Sequence, residues 1–131
     1  MIGEVFTLMP GVPVAKILVQ RDESKPNKDP IYFYDKFPKS ISKKERVFIL
    51  DPMLGTGGSV SVAIRRLKEL GVEEKKITFL NLVSCPEGLE AVTKNFPEVT
   101  IFTAILDPKM NDHKYITPGV GDFGDRYFNS L

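Results

Sequence analysis

The run Val47-Phe48-Ile49-Leu50 is continuously apolar and ends at Asp51-Pro52, and Gly55-Thr56-Gly57-Gly58-Ser59 follows within five residues. From Ser59 the spacing becomes helical, with Val62, Ile64, Leu67 and Leu70 near one face and Gly71 as a stop. An uninterrupted apolar strand is buried on both faces, which is the habit of parallel sheets. A parallel strand needs a crossover, and here the crossover opens on a glycine turn. This one feature restricts the chain to an open α/β sheet whose ligands sit at the carboxyl ends of the strands.

The rest of the sequence repeats the pattern. Ile77 to Val83 is a second apolar strand, Pro86 opens a helix reaching about Phe96 with Leu89, Val92 and Phe96 inward, and Thr100 to Leu106 is a third strand. Upstream, Val14 to Gln20 alternates loosely and Ile31 to Tyr34 is its returning arm, a hairpin around the charged, proline-punctuated run Arg21 to Pro30. Phe37 to Glu45 reads as a connection, and Pro118 to Leu131 as a closing loop. The 131 residues fit a single domain, with 42% hydrophobic and 27% charged residues. Eighteen Lys and Arg against 17 Asp and Glu give a net charge of +1, which excludes disorder and a strongly basic nucleic-acid surface. No signal peptide and no membrane span are expected.

The glycine turn has the chemistry of a phosphate cradle. Glycines let the backbone turn tightly and bring N–H groups to an anion, and the helix start adds its positive end. Thr56 and Ser59 hydroxyls can donate to phosphate oxygens. Asp51 repels phosphate and suits sugar hydroxyls or a phosphate-bound cation. The turn is not a Walker A loop, since no Gly-Lys-Ser/Thr occurs. A glycine turn with no ligand is the bland alternative; the acid, two hydroxyls and three glycines together favour binding.

The second signal is Tyr115-Ile116-Thr117-Pro118-Gly119-Val120-Gly121-Asp122-Phe123-Gly124-Asp125-Arg126-Tyr127-Phe128. Its Gly-x-Gly-x-x-Gly matches the dinucleotide fingerprint, but that motif must open a crossover helix, and only seven residues follow Gly124 in this sequence. A dinucleotide site is not expected. Two readings remain on the residues alone: a glycine-rich rim laying backbone groups against a small planar molecule, or a turn-rich tail packed on the core.

Leu50-Asp51-Pro52-Met53-Leu54-Gly55-Thr56-Gly57-Gly58-Ser59 resembles the phosphoribosyl-diphosphate (PRPP) loop of the uracil phosphoribosyltransferases, where Asp-Pro stands in place of the paired acids of other phosphoribosyltransferases. Pro118 to Phe128 resembles the uracil-binding signature of the same family, in its eukaryotic and protozoan form. Gln20-Arg21-Asp22-Glu23 resembles the segment whose arginine contacts the diphosphate, Tyr32 to Pro38 an arm of the flexible hairpin beside it, and Ser84 to Gly88 the turn after the second strand.

The resemblance implies a type I phosphoribosyltransferase-like parallel sheet flanked by helices, with a β-hairpin flap, as one partial domain over residues 1–131. It implies the reaction of uracil with PRPP to give UMP and diphosphate, in pyrimidine salvage. It assigns PRPP to Arg21, to Asp51, Pro52, Met53, Leu54, Gly55, Thr56, Gly57, Gly58 and Ser59, and to Asp122. Uracil goes to Ile116, Gly121, Asp122 and Phe123, and Asp51 and Asp122 are the catalytic carboxylates. Magnesium comes with PRPP and no metal site is expected in the protein itself. GTP activates some members, but no GTP site is visible in this sequence. A cytoplasmic homo-oligomer, dimer or tetramer, is implied, with no nucleic-acid or membrane partner.

One family feature is absent: the earlier Arg-Ala-Gly loop that binds the leaving diphosphate has no counterpart tripeptide here. The first sheet strand is missing too, and Met1 to Pro10 corresponds to the helix after that loop. The expectation is a truncated chain, a shortened reading frame or a protein that has lost part of its site, with weak turnover. A non-catalytic module that binds PRPP or uracil nucleotides is the alternative.

Three features are given ordinary roles. His113, the single histidine, lies in a polar turn without ligand-spaced partners. Cys85, the single cysteine, is read as a small buried hydrophobe with no disulfide to make. Lys43-Lys44-Glu45-Arg46 is a solvated face. Arg126 is taken to lie beyond the base-reading positions, so orotate, with its carboxylate, is expected to be disfavoured.

Overall fold

The computed structural model describes residues 2–22, 29–121, 126–127 and 129. A short helix α1 (Ile2–Leu8) precedes a hairpin of β1 (Lys16–Arg21) and β2 (Pro30–Lys36), antiparallel with a register shift between Leu18 and Val19. Both arms differ from the predicted bounds: β1 starts two residues later, and β2 runs from Pro30 to Lys36 rather than Ile31 to Tyr34.

The main sheet is centred on β5 (Ile77–Ser84). It pairs in parallel with β3 (Val47–Leu50) and β4 (Met53–Leu54) on one side and β6 (Thr100–Leu106) on the other. The sequence reading ends the strand at Leu50, whereas the structure resumes it as β4 after a two-residue interruption. Pro52 has no N–H to give the ladder, but its carbonyl accepts from both Leu82 N–H (3.1 Å) and Val83 N–H (3.0 Å). The strand is therefore bulged at Asp51-Pro52, not finished there.

Helix α2 (Gly58–Glu69) links β4 to β5, and α3 (Pro86–Asn95) links β5 to β6. Both crossovers step the same way across the sheet, and both helices cover one face. Val60, Ile64 and Leu67 of α2 and Val92 and Phe96 after it pack with Ile77, Phe79 and Leu54 into the main core. The predicted inward residue Val62 is a correction: it is only half-buried and lies beside Tyr32, Arg65, Arg66 and Glu69, so it faces the hairpin. Helix α2 has two packed sides, which a single-stripe reading does not separate. On the opposite sheet face Phe48 is 40% and Phe102 61% exposed.

The connection after β2 contains a 3-10 turn, Ile41–Lys43, and lays Phe37 and Ile41 on the core. After β6, the two-residue strands β7 (Lys109–Met110) and β8 (Ile116–Thr117) pair antiparallel, an element the sequence reading does not contain. The closing segment also differs from a plain loop, since Arg126 and Tyr127 are helical.

Glu74, in the 3-10 turn Glu74–Lys76, is buried and joins three segments. Its carboxylate accepts from the Lys68 ammonium of α2 and, at 3.0 Å, from the Glu98 N–H before β6. Burial pushes its pKa up, but the Lys68 and Glu98 hydrogen bonds outweigh burial and hold it below the usual 4.5. A depressed folded pKa means that the unfolded chain binds the proton more readily, so this stabilisation is full above about pH 4.5 and is lost as pH falls through the folded value. Glu74→Ala is expected to cost about 2 kcal/mol at pH 7. Thermal unfolding at pH 7 and pH 3 checks it, with the gap between the two proteins narrowing in acid.

Candidate functional site

The strand ends of β3/β4, β5 and β6 share one edge of the sheet, where three connections meet. Between β4 and α2 runs the glycine turn, residues 55–57. Gly57 caps α2 in the left-handed region (φ +78°, ψ 0°), and its carbonyl accepts from Ser61 N–H at 3.0 Å. The helix begins at Gly58, one residue before the predicted start. Thr56 Oγ1 accepts from Gly58 N–H at 3.3 Å, so the hydroxyl proton remains available as a donor.

The turn is aimed from below. The Leu54 carbonyl accepts from Cys85 N–H at 3.3 Å, and the Gly55 carbonyl lies 3.4 Å from Cys85 Sγ. Gly88, in the first turn of α3, is so close that a Cβ there would lie 2.2 Å from Gly55 O and 2.8 Å from Leu54 O. A trans peptide points its N–H opposite its C=O. With these two carbonyls turned down onto α3, the N–H groups of Gly55 and Thr56 point up, away from α3. The orphan N–H groups of the first turn of α2 lie alongside. Cys85 is fully buried, and burial pushes its thiol pKa up, as befits a packing residue.

Above the turn lies a cleft of about 860 Å³, bounded by Asp51, the segment Met53–Val60, the edge of β3 and the inner side of the hairpin. Asp51 closes the end of β3: its N–H donates to Leu80 O at 3.3 Å and its Oδ1 accepts from Met53 N–H at 3.4 Å. The hairpin meets the turn directly. A Cβ on Gly58 would sit 3.3 Å from the Pro30 ring, and Pro30 is the cross-strand partner of Arg21. The backbone of Arg21 is thus brought to the mouth of the cleft; its side chain lies outside the described residues. The hairpin is latched to α2 through Asp35, whose carboxylate accepts from Arg66 Nε while Arg66 also bonds Glu69. Hydrogen bonds from Tyr32 and Arg66 hold the Asp35 pKa below its usual range.

The segment after β6 approaches the first loop from the other side of β5 and adds no described residue to the lining of that cleft. Asn111 Oδ1 accepts from His113 N–H at 3.0 Å and Tyr115 N–H at 2.9 Å, closing a tight turn that leaves His113 exposed. Ile116 is buried and packs on Val83 and Cys85, as does Met53 of the first loop. The two loops therefore share one floor. Thr117-Pro118 is cis, and Gly119 and Gly121 have positive φ. Asp122 and Phe123, assigned to PRPP and uracil from the sequence, lie outside the described residues. A Cβ on Gly121 would be 3.4 Å from Arg126 Nε, so the Arg126 guanidinium lies beside Gly121.

Two contributors were not found by sequence reasoning as parts of the site. Gly88 carried a signal, since a glycine in a first helical turn needs a packing reason. Asp107, whose carboxyl oxygen accepts from Gly119 N–H at 2.8 Å, carried none. Among the described residues no three His, Cys, Asp or Glu side chains converge on a metal position. The donor set at the turn, amides and hydroxyls with the one carboxylate of Asp51, suits a magnesium ion that arrives on a polyphosphate. No helix among the described residues is long and apolar enough to cross a membrane.

A one-sided crossover sheet with a glycine turn at its carboxyl edge, opening a helix, defines the chain as an α/β crossover protein whose turn has the chemistry to receive an anion. The sequence profile for uracil phosphoribosyltransferase matches residues 1–130, and the chain belongs to that family. It is 49% identical over 117 residues to uracil phosphoribosyltransferase of Saccharomyces cerevisiae, covering 89% of this chain and 53% of the relative. It is 47% identical over 130 residues to that of Fervidobacterium nodosum, covering 99% and 60%. The solved AQ2163 protein from Aquifex aeolicus superposes with a TM-score of 0.85 at 29% identity, covering 98% of this chain and 59% of that one. The chain thus spans roughly 53 to 60% of the length of these relatives.

Proposed function

We propose that this chain forms the PRPP- and uracil-binding part of a uracil phosphoribosyltransferase. The observation that carries the reading is the pair of carbonyls, Leu54 and Gly55, turned onto α3 so that the following amides face away from it. Thr56, Gly57, Gly58 and Ser59 take the 5-phosphate, with Pro52, Met53, Leu54 and Gly55 shaping the approach. Asp51 takes the ribose hydroxyls, and Arg21 the diphosphate. Backbone groups of Ile116, Gly121 and Phe123 read the uracil edge, with Asp122 beside the ribose. Uracil N1 bonds to the sugar C1 as the bond from C1 to diphosphate breaks and the N1 proton is released. Catalysis is positioning and charge stabilisation. Magnesium supplies charge neutralisation on the diphosphate when PRPP is bound. A cytoplasmic homo-oligomer is part of the proposal, while GTP, an activator in the resemblance, is given no residue.

A pocket of fixed backbone donors and acceptors that pairs with uracil leaves partners unmatched on cytosine, whose N3 and exocyclic group have the reverse polarity. UMP is expected to bind about 100-fold more tightly than CMP, the discrimination of roughly two mismatched hydrogen bonds. Calorimetric titration with both nucleotides and magnesium checks it; equal affinities contradict the base-reading loop. A second reading is a binding module for PRPP or uracil nucleotides without turnover. The two separate on turnover of uracil with PRPP, where loss of one diphosphate-loop donor alone costs about 10²–10³ in rate.

A further inference from the structure

Asp107, at the end of β6, reaches across twelve positions to Gly119. Asp107 N–H donates to Ser84 O at 2.8 Å, extending the β5–β6 ladder to its last rung. From that fixed position Asp107 Oδ2 accepts from Gly119 N–H at 2.8 Å. Gly119 is a tight point, with φ +51° and a would-be Cβ only 2.1 Å from Ile116 O. Ile116 is itself buried on the floor shared with Met53. The turn that follows Ile116 and leads to Gly121 is thus clamped from below by Ile116 and from the side by Asp107. A separate bond, Met110 N–H to Glu87 Oε1 at 3.2 Å, holds β7 and through it the β8 partner Ile116–Thr117, whereas Asp107 acts on Gly119 itself.

We infer that Asp107 is a positioning residue for base recognition: it sets the backbone edge at Ile116–Gly121 against the pyrimidine without touching the ligand. The inference rests on the proposed uracil-binding reading. It goes further in naming the residue that makes a glycine-rich, intrinsically loose segment present a fixed pattern of donors and acceptors. Ile116 is fixed by burial and by β7, and the Asp107 bond fixes Gly119 beyond them, so its loss is felt in affinity for the base rather than for phosphate.

The test uses Asp107→Ala and Asp107→Asn in the chain as it is, since asparagine keeps an acceptor oxygen for Gly119. Carbonyl-13C proline with 15N glycine selects the two Pro-Gly pairs of the sequence, Pro10-Gly11 and Pro118-Gly119. Amide exchange at Gly119 is expected to accelerate in the alanine variant and not in the asparagine variant, with Gly11 as internal control. Ribose 5-phosphate, which engages only the phosphate turn, should bind all three proteins equally. UMP should bind Asp107→Ala about tenfold more weakly, the value of one hydrogen bond of about 1.4 kcal/mol, with Asp107→Asn restored to within about threefold. UMP affinity unchanged in Asp107→Ala, with ribose 5-phosphate still bound, overturns the positioning role alone. Failure of the parent chain to bind either ligand overturns the phosphoribosyl reading, and unchanged Gly119 exchange overturns the clamp itself.

Discussion

Gly88→Ala is expected to damage both the fold and the phosphate turn. Its Cβ would lie 2.2 Å from Gly55 O, 2.8 Å from Leu54 O and 2.9 Å from Leu54 Cγ. Two of these atoms are backbone, so no rotamer change relieves the contact. Either α3 lifts off the sheet, or the 54–55 carbonyls rotate and take the following amides with them. Overpacking of this kind costs about 3 kcal/mol, which for a domain of this size is on the order of 10 °C in Tm. Ribose 5-phosphate affinity should fall even at temperatures where the variant is folded. Differential scanning calorimetry with and without ligand checks both effects. A variant with parental Tm and parental ligand-induced shift would mean that α3 does not support the turn.

Gly57→Val is the second large effect, and it acts on binding first. At φ +78° a β-branched side chain is strained, and its Cβ would meet Val92 Cγ2 at 3.2 Å and Gly88 O at 3.3 Å. Relief requires the Gly57 peptides to turn, which takes its amide out of the cleft and disturbs the Gly58 N–H bond that orients Thr56 Oγ1. Losing one charge-assisted donor of about 1.5–3 kcal/mol lowers affinity for a phosphate by roughly 10- to 100-fold. Gly11→Ala provides the control, because Gly11 has the same kind of backbone (φ +82°) with nothing within 4 Å. It should lose some stability and no affinity. Parental phosphate affinity in folded Gly57→Val would remove this residue from the site.

The sheet and helices were legible because long apolar runs and the helical spacing from Ser59 and Pro86 are driven by burial in one core. The features that escaped are those in which tertiary contact overrides the local signal. Pro52 reads as a strand stop because it lacks an N–H, yet its carbonyl takes two donors and the strand continues. Val62 reads as core because it shares the helical stripe, but the hairpin gives α2 a second partner. β7 and β8 are two residues each, too short for any period to show. Within the site, the glycine turn stood out through its own composition, and its placement against the hairpin through Pro30 and Gly58 could not be read from it. The nearness of the Arg126 side chain to Gly121, five positions earlier, has no local signal either. Asp107 had no mark, since an aspartate at a strand end is commonplace until its distant partner is known.

The central claim is that backbone amides between Thr56 and Ser59 hold a phosphate group. The direct measurement is a 15N–1H titration of the chain with ribose 5-phosphate and magnesium, followed amide by amide. Saturable shifts concentrated at Thr56, Gly57, Gly58 and Ser59, and weakened in Gly57→Val, are the predicted result. A titration that leaves these four amides unmoved, while signals elsewhere such as Lys44 and Arg46 shift, would contradict the account.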